Sequence, residues 1–245
     1  MRITTATMTL ALAALVTANA TGQQAQRPAG PADTRPAIAV LDFDLGATLG
    51  QSREDYEALR RGLASLTINE IAANTAIRVV ERTQLQQILQ EQNLGREGRV
   101  DPQTLSRIGK LIGATYMISG TFFDLRGDVK VVARIFNVET GEILRTQEVR
   151  GRLENLFDLV PRLGQQIMTG ANLPPLERRA ADEFRQANPA PPTQAVMAYS
   201  RAVLYADRGD KEHAVEQYRR ALTTFPAYTQ ARTACNSLQS GACPG

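Results

Sequence analysis

The chain has 245 residues, 43% of them hydrophobic and 22% charged, which is enough for one domain of ordinary size with an appendage. This composition is typical of a globular protein and argues against a fibrous or wholly disordered chain. The net charge of +3 is small and the basic residues are interspersed with acids, so the sequence predicts no nucleic-acid partner.

Residues 1–20 have the organisation of an export signal. Arg2 supplies a positive charge, Met8–Val16 is apolar, and Ala18-Asn19-Ala20 is a small-x-small cleavage site. The apolar run is shorter than the ~20 residues that span a bilayer, and no lipid-anchor cysteine follows it. We therefore predict export to the periplasm, or to the periplasmic face of the outer membrane, of a Gram-negative bacterium, with at most peripheral membrane association.

The first predicted strand follows a leader, residues 21–36, whose Gln, Pro, Ala and Gly content predicts flexibility. Ala37–Phe43 is predicted to be the first strand, apolar on both faces as is typical of a central strand covered by helices. A polar loop is predicted over Gly46–Asp55 and a helix over Tyr56–Ala73. Asp42 and Asp44 flank the end of the strand, where they could serve a metal or a catalytic role, or could cap the following loop and helix.

A strand, two helices and a second strand are predicted between Ile77 and Gly120. Gly95 and Gly98 separate the helices, and Asp101-Pro102 starts the second one with a capping acid and a proline at its first position. The apolar positions expected to face the sheet are Leu85, Ile88 and Leu89 in the first helix and Leu105, Ile108, Leu111 and Ile112 in the second.

Glu81-Arg82 marks the passage from strand to helix in this segment. The pair could bind a partner or another subunit. Alternatively, Glu81 favours the positive end of the helix dipole and Arg82 pairs with a neighbouring acid.

Three antiparallel strands with short turns are predicted next, at Thr115–Leu125, Val129–Val138 and Glu142–Arg150. The second turn places Gly141 where a positive φ is needed. A closing helix, Leu153–Met168, follows with apolar residues on one side.

The segments VVERTQLQQILQEQNLG, VDPQTLSRIGKLIGATYMISGTF and ARIFNVETGEIL resemble the CsgG family of curli production assembly and transport components. Related domains of penicillin-binding protein activators and flagellar outer-membrane accessory proteins are similar. The resemblance covers roughly Ala37–Arg152 and implies an α/β fold, a mixed sheet flanked by helices in the order β-α-β-α-α-β-β-β-α, over residues 37–170. The pore of this family is built from extra hairpins. Neither turn of the predicted meander has room for them, so we predict that this chain does not form a secretion pore alone.

Residues 171–193 read as a charged helix, Leu176–Gln186, and a Pro-rich linker. Residues 194–245 resemble one tetratricopeptide repeat, a helix–turn–helix unit that usually binds proteins or peptides. Alternatively, this segment is a C-terminal helical cap that binds no partner. A single repeat cannot bury its own face, so we expect it to pack on its flanking helices or on another chain. The positions that carry the resemblance, and the candidate protein-binding residues, are Tyr205, Gly209, Ala214, Tyr218, Ala221 and Pro226.

Cys235 and Cys243 are the two cysteines of the chain, and in an oxidising compartment they could pair. His213 is the single histidine, and we expect it at the surface. No catalytic, metal-binding or cofactor-binding residues are predicted with it, because no nucleophile, acid cluster or nucleotide motif accompanies it.

Three functions follow from the sequence. The first is a non-enzymatic envelope scaffold or accessory protein that binds other envelope proteins. For this function the sequence leaves open whether the chain also forms a homo-oligomer. The second is a subunit of an oligomeric outer-membrane secretion channel of the curli-export type. The third is a periplasmic enzyme that uses Asp42 and Asp44.

Overall fold

The computed structural model describes residues 33–91, 101–175, 178–187 and 189–243. In these residues the strands are Ala37–Val40 (β1), Asp44–Leu49 (β2), Arg78–Val79 (β3), Tyr116–Leu125 (β4), Asp128–Asn137 (β5) and Ile143–Arg152 (β6). The helices are Arg53–Ala72 (α1), Arg82–Glu91 (α2), Pro102–Leu111 (α3), Leu156–Gly170 (α4), Arg178–Ala187 (α5), Thr193–Asp207 (α6), Lys211–Thr224 (α7) and Thr229–Leu238 (α8). A single 3-10 turn, Leu153–Asn155, precedes α4.

The strands form one mixed sheet in the order β3-β1-β4-β5-β6. β1 is parallel to both of its neighbours, and β4, β5 and β6 form an antiparallel meander in uninterrupted register over most of their length. The predicted α/β class, with a mixed sheet flanked by helices, is confirmed.

Strand β2 is the one strand that differs from the predicted order, because Gly46–Asp55 was expected to be a polar loop throughout. β2 continues the line of β1 and pairs in parallel with the second half of β4. Its residues have little strand signal of their own, since it contains Gly46 and is partly exposed. The pairing with a long neighbouring strand therefore decides its conformation, which local propensity could not reveal.

The sheet has an apolar layer on each face. On one face α1 and α4 cover the central strands, with Leu59, Leu63, Leu163 and Ile167 almost fully buried. On the other face α2 and α3 cover β1 and the first half of β4. The outer half of β5 and all of β6 remain uncovered by helices on this second face among the described residues.

Helix α3 begins as predicted, because the Asp101 carboxylate accepts hydrogen bonds from the amides of Gln103 and Thr104. The prediction that Leu111 belongs to the buried stripe is wrong, since its side chain is 58% exposed. At 100° per residue Leu111 lies to the outside of Ile108, and Ile112 fills the last inward position instead.

Both turns of the meander are tight. Arg126 and Gly127 have φ values of 57° and 89° between β4 and β5. Gly141 has a φ of 73° between β5 and β6, as the turn prediction required.

Helices α6, α7 and α8 enclose a second apolar core built around Tyr199, Tyr218 and Tyr228. α6 also crosses α1 at very short range. A Cβ atom on Gly62 of α1 would lie 1.8 Å from the Ser200 Oγ of α6, so only glycine allows this approach. The expected support from α8 is present, and α1 of the α/β domain supplies further support that was not expected.

In the described part of the chain, none of the helices combines the length and the apolar character needed to cross a membrane. The predicted signal segment, residues 1–20, most of the predicted leader, and the break at Gly95 and Gly98 lie outside the described residues.

Candidate functional site at the helix junction

Three of the six predicted protein-binding residues are buried inside the helical hairpin and form no surface. Ala214, Tyr218 and Ala221 are at most 3% exposed and pack in the core of α6–α8. Gly209 makes the turn between α6 and α7 with a φ of 77°. Pro226 is exposed in the turn before α8. The helix–turn–helix is therefore present, while its classification as a tetratricopeptide repeat stays a prediction.

Tyr205 connects the hairpin to the start of α1. Its hydroxyl donates to Glu54 Oε1 at 2.8 Å, and its ring lies 5.3 Å from the ring of His213. His213 is exposed, as expected, and its Nδ1 lies 2.7 Å from Asp210 Oδ2. The hydrogen bond with Asp210 raises the pKa of His213 above its ordinary value.

Arg82 lies at the centre of a charged junction between the α/β domain and α6. Its guanidinium donates to both carboxylate oxygens of Asp42, at 3.0 and 3.1 Å, and to Asp207 Oδ2 at 2.7 Å. The side chain of Arg82 is only 13% exposed. Burial lowers its pKa, but hydrogen bonds and charges of Asp207 and Asp42 outweigh that effect, so the pKa of Arg82 lies above its ordinary value.

Arginines of α1 extend this junction. Arg61 Nε donates to Asp207 Oδ2 at 3.1 Å and its Nη1 donates to the backbone carbonyl of Glu57 at 2.7 Å. The carboxylate of Glu57 lies 3.3 Å from both Arg60 and Arg61. Burial alone would raise the pKa of Glu57, but the two guanidinium groups hold it below its ordinary value.

A second ion pair lies nearly two turns of α6 before the junction. Arg201 Nε donates to Asp55 Oδ1 at 2.8 Å, and its Nη2 contacts the same oxygen. Arg201 therefore joins α6 to the first turn of α1.

The two acids proposed for a catalytic role are both engaged by arginines. Asp42 is held by Arg82, and Asp44 Oδ1 lies 3.7 Å from Arg60 Nη2. Both carboxylates therefore serve ion pairs that join elements of the fold. Within the described residues, no group of three or more His, Cys, Asp or Glu is placed to hold a metal ion.

An apolar cleft of about 180 Å³ lies between α1, α4 and the turn that precedes α8. Leu66 of α1, Val160 of α4 and Phe225 line it. Pro189 and Pro191 of the predicted linker close one side, so this part of the linker lies against the helices.

Cys235 and Cys243 form a disulfide in the structure, with their Cα atoms 6.0 Å apart. Both residues are buried. The side chain of Asn236 also exchanges two hydrogen bonds with the backbone of Cys243, so the tail is attached to α8 by two kinds of bond.

Sequence reasoning singled out Arg82 and Asp42 separately but missed Asp207, the second acid that Arg82 binds. Asp207 and Asp42 lie 125 and 40 residues from Arg82 in the chain, so no local pattern joins the three residues. The sequence signal that existed was an acid directly after an apolar strand and an arginine at the first turn of a helix. Gly62, which sets the distance between α1 and α6, gave no sequence signal either.

Comparison with known proteins gives one family and several distant structures. The model of the family described as "Curli production assembly/transport component CsgG" matches residues 17–130. No curated protein matches the chain.

Three solved structures show how distant the structural likeness is. The LpoB C-terminal domain from Salmonella enterica is 20% identical at a TM-score of 0.36, over 48% of this chain and 82% of that one. Lipoprotein GNA1162 from Neisseria meningitidis is 14% identical at 0.38, over 54% and 95%. The PelC dodecamer from Paraburkholderia phytofirmans is 18% identical at 0.32, over 59% and 94%. At these scores the likenesses carry no argument about function.

Proposed function

We propose that this chain is an exported, non-enzymatic accessory protein of the bacterial cell envelope that acts by binding other envelope proteins. The observation that carries the proposal is the match of residues 17–130 to the family of curli assembly and transport components. The site geometry agrees with a binding role, because Asp42 and Asp44 are engaged in ion pairs with Arg82 and Arg60. Their charges are used to join elements of the fold.

The helical segment 194–245 is the part that we propose recruits a partner, as a single tetratricopeptide-like unit. α6 is covered by α1 on one side and α7 on the other, so it has no broad free face. The outward faces of α7 and α8 remain exposed and are the surfaces available to a partner.

A subunit of an oligomeric outer-membrane secretion channel is the second candidate, because the family description names transport as well as assembly. The turns at Arg126-Gly127 and around Gly141 contain no inserted segment. In the described residues the two hairpins of the meander therefore have short turns only, which favours the accessory role.

Site-specific photocrosslinking in the cell tests the proposed function. A photoreactive residue is placed at exposed Arg220 of α7, at Arg107 of α3 and at Thr146 of β6, one position per variant, and captured proteins are identified by mass spectrometry. Capture of the same envelope protein from repeated cultures, only after irradiation, supports the proposal. Recovery of the chain without any envelope partner from all three positions would overturn it.

A further inference from the structure

β6 is the outer strand of the sheet. Its pairing with β5 shows which of its backbone groups face away from the sheet. The amide of Leu153 donates to the carbonyl of Gly127 at 2.8 Å, and Val149 stands opposite Val131 in register. Since successive residues of a strand point their backbone groups to opposite sides, the odd-numbered residues of β6 bond β5. The amides and carbonyls of Thr146, Glu148 and Arg150 therefore face away from the sheet.

This edge is long and nearly bare. β6 has ten residues, and the described residues contribute one group to its outer side, Arg162 Nη1, which donates to the Arg150 carbonyl at 3.3 Å. A strand edge with unpaired amides and carbonyls is a ready template for another extended chain.

The flank of α4 forms a polar shelf along the same edge. A groove of about 340 Å³ lies between β6 and α4, lined by Gln147, Arg162, Gln165, Gln166 and Thr169. The Oε1 atom of Gln166 is buried there and has no hydrogen-bond partner among the described residues. An added chain in this groove could donate a hydrogen bond to it, which would remove the cost of leaving that oxygen unsatisfied.

The positive charge along this edge favours an added chain that carries negative charge. Arg150 is paired with Glu148, and Arg152 is paired with Asp128. Arg145 and Arg162 have no carboxylate partner in the described part of the chain. Both are exposed. Arg162 lines the groove, and Arg145 lies beside the end of α4, where a Cβ on Gly170 would be 3.3 Å from the Arg145 Cβ.

We propose that the outer edge of β6 and the adjoining flank of α4 bind an extended acidic segment of a protein partner by strand addition. Backbone groups of Thr146, Glu148 and Arg150 pair with the added strand. Carboxylates at alternate positions of that strand face Arg145 and Arg162, while the intervening side chains lie on the uncovered face of the sheet. This inference rests on the proposed protein-binding function and names the surface and the chemistry of the partner.

A second copy of this chain fits the edge less well. Antiparallel pairing of β6 with itself through the outward groups of Thr146, Glu148 and Arg150, centred on Glu148, would place Glu148 opposite Glu148 of the other copy. Like charges directly opposite each other destabilise a strand pair. The charge of the edge therefore favours an acidic partner over self-association.

The test uses two peptide probes and the full chain. The first is an acetylated, amidated octapeptide in which threonine and glutamate alternate, and the second has lysine in place of glutamate. Binding is measured by fluorescence anisotropy with labelled peptide, and hydrogen exchange reports on the amides of β6. We expect the glutamate peptide to bind saturably and the lysine peptide not to bind. The glutamate peptide should also slow the hydrogen exchange of the Thr146 and Glu148 amides.

Two pairs of variants locate the binding. Thr146→Pro removes an outward amide that β5 does not use, and proline is tolerated on edge strands, whereas Thr146→Val keeps the amide. We expect the first to weaken binding by about tenfold or more and the second by less than about twofold. Arg145→Glu should weaken it by about fivefold or more. Lys110→Glu makes the same charge change on α3, the helix whose C-terminal turn contacts β3 at the opposite edge of the sheet, and should leave binding unchanged.

Three results would overturn the inference. They are failure of the glutamate peptide to bind up to about 1 mM, equal binding of the two peptides, and binding that neither Thr146→Pro nor Arg145→Glu weakens. Self-association of the chain that Thr146→Pro abolishes would assign the edge to a second copy and would also overturn it. Capture of an envelope protein through Arg220 or Arg107 would leave the proposed function standing in each case. Capture of none from any position would refute that function separately.

Discussion

Arg82, in the first turn of α2, donates to Asp207, the last residue of α6, with 2.7 Å between Arg82 Nη2 and Asp207 Oδ2. An acid at the C-terminus of a helix is disfavoured by the helix dipole. Arg82 and Arg61 offset that cost by surrounding the Asp207 carboxylate with positive charge. The same contact fixes the end of α6 against the α/β domain, so one residue stabilises both the helix end and its packing.

Replacing Arg82 with alanine should therefore destabilise the whole unit. The variant leaves Asp42 and Asp207 half-buried with Arg61 as their remaining cation, and we expect a loss of about 2–4 kcal/mol in the free energy of unfolding. Urea denaturation followed by circular dichroism measures it. Arg107→Ala on the exposed side of α3 is the matched control and should change stability by less than about 0.5 kcal/mol. Equal stability of the two variants would show that the junction contributes nothing.

Gly62→Ala should also destabilise the protein, although alanine is the better helix former by about 1 kcal/mol. The new Cβ would meet Ser200 Oγ at 1.8 Å and Ser200 Cβ at 2.7 Å, so α1 and α6 must separate. We expect a net loss of about 1–3 kcal/mol, measured by thermal or urea denaturation.

A second substitution distinguishes this collision from a general effect on α1. Ser200→Gly removes both contacted atoms, so in the Gly62→Ala background it should recover part of the lost stability. A double variant as unstable as the sum of the single variants would contradict the proposed crossing.

The cysteine pair should resist alkylation until the protein is reduced and unfolded. Cys235 and Cys243 are eight residues apart, so the chain-entropy contribution of the bond is small, below about 3 kcal/mol. Denatured but unreduced protein should therefore take up no iodoacetamide, and reduction should lower stability only modestly. Labelling of both cysteines without reductant would disprove the pairing.

The imidazole of His213 should titrate above its ordinary pKa of 6.5, because it is hydrogen-bonded to Asp210. A raised pKa in the folded state means that the contact stabilises the fold below pH 6.5 and that this contribution is lost as the pH rises through the folded pKa. The chain has one histidine, so its NMR signal is unambiguous. Asp210→Asn keeps an acceptor for the cap of α7 and should lower the pKa of His213, whereas an unchanged pKa would contradict the pairing.

The fold followed from sequence wherever a local pattern decided the structure. The capping acid Asp101, the strand alternation of β5 and the positive φ of Gly141 are all local, and all are confirmed. The conformation of β2 and the exposure of Leu111 were mispredicted because each depends on contacts with another part of the fold. Pairing with β4 makes a strand of a weak sequence, and Ile112 displaces Leu111 from the core.

The candidate site was less accessible to sequence reasoning. Tyr218 and Ala214 were recognised by their spacing, but the spacing alone could not show that they are buried in the hairpin. The junction depends on Asp207 meeting Arg82 across the fold, and the binding edge depends on β6 being the last strand of the sheet. Both depend on the topology of the fold, and no local sequence pattern predicts either of them.

The solution mass of the chain that begins at Thr21, measured by light scattering with and without lipid vesicles, tests the central claim most directly. An accessory protein that binds other envelope proteins should be a monomer or a dimer whose mass does not change when lipid is added. A ring of many subunits that forms only with lipid would contradict this account and would favour the secretion-channel subunit.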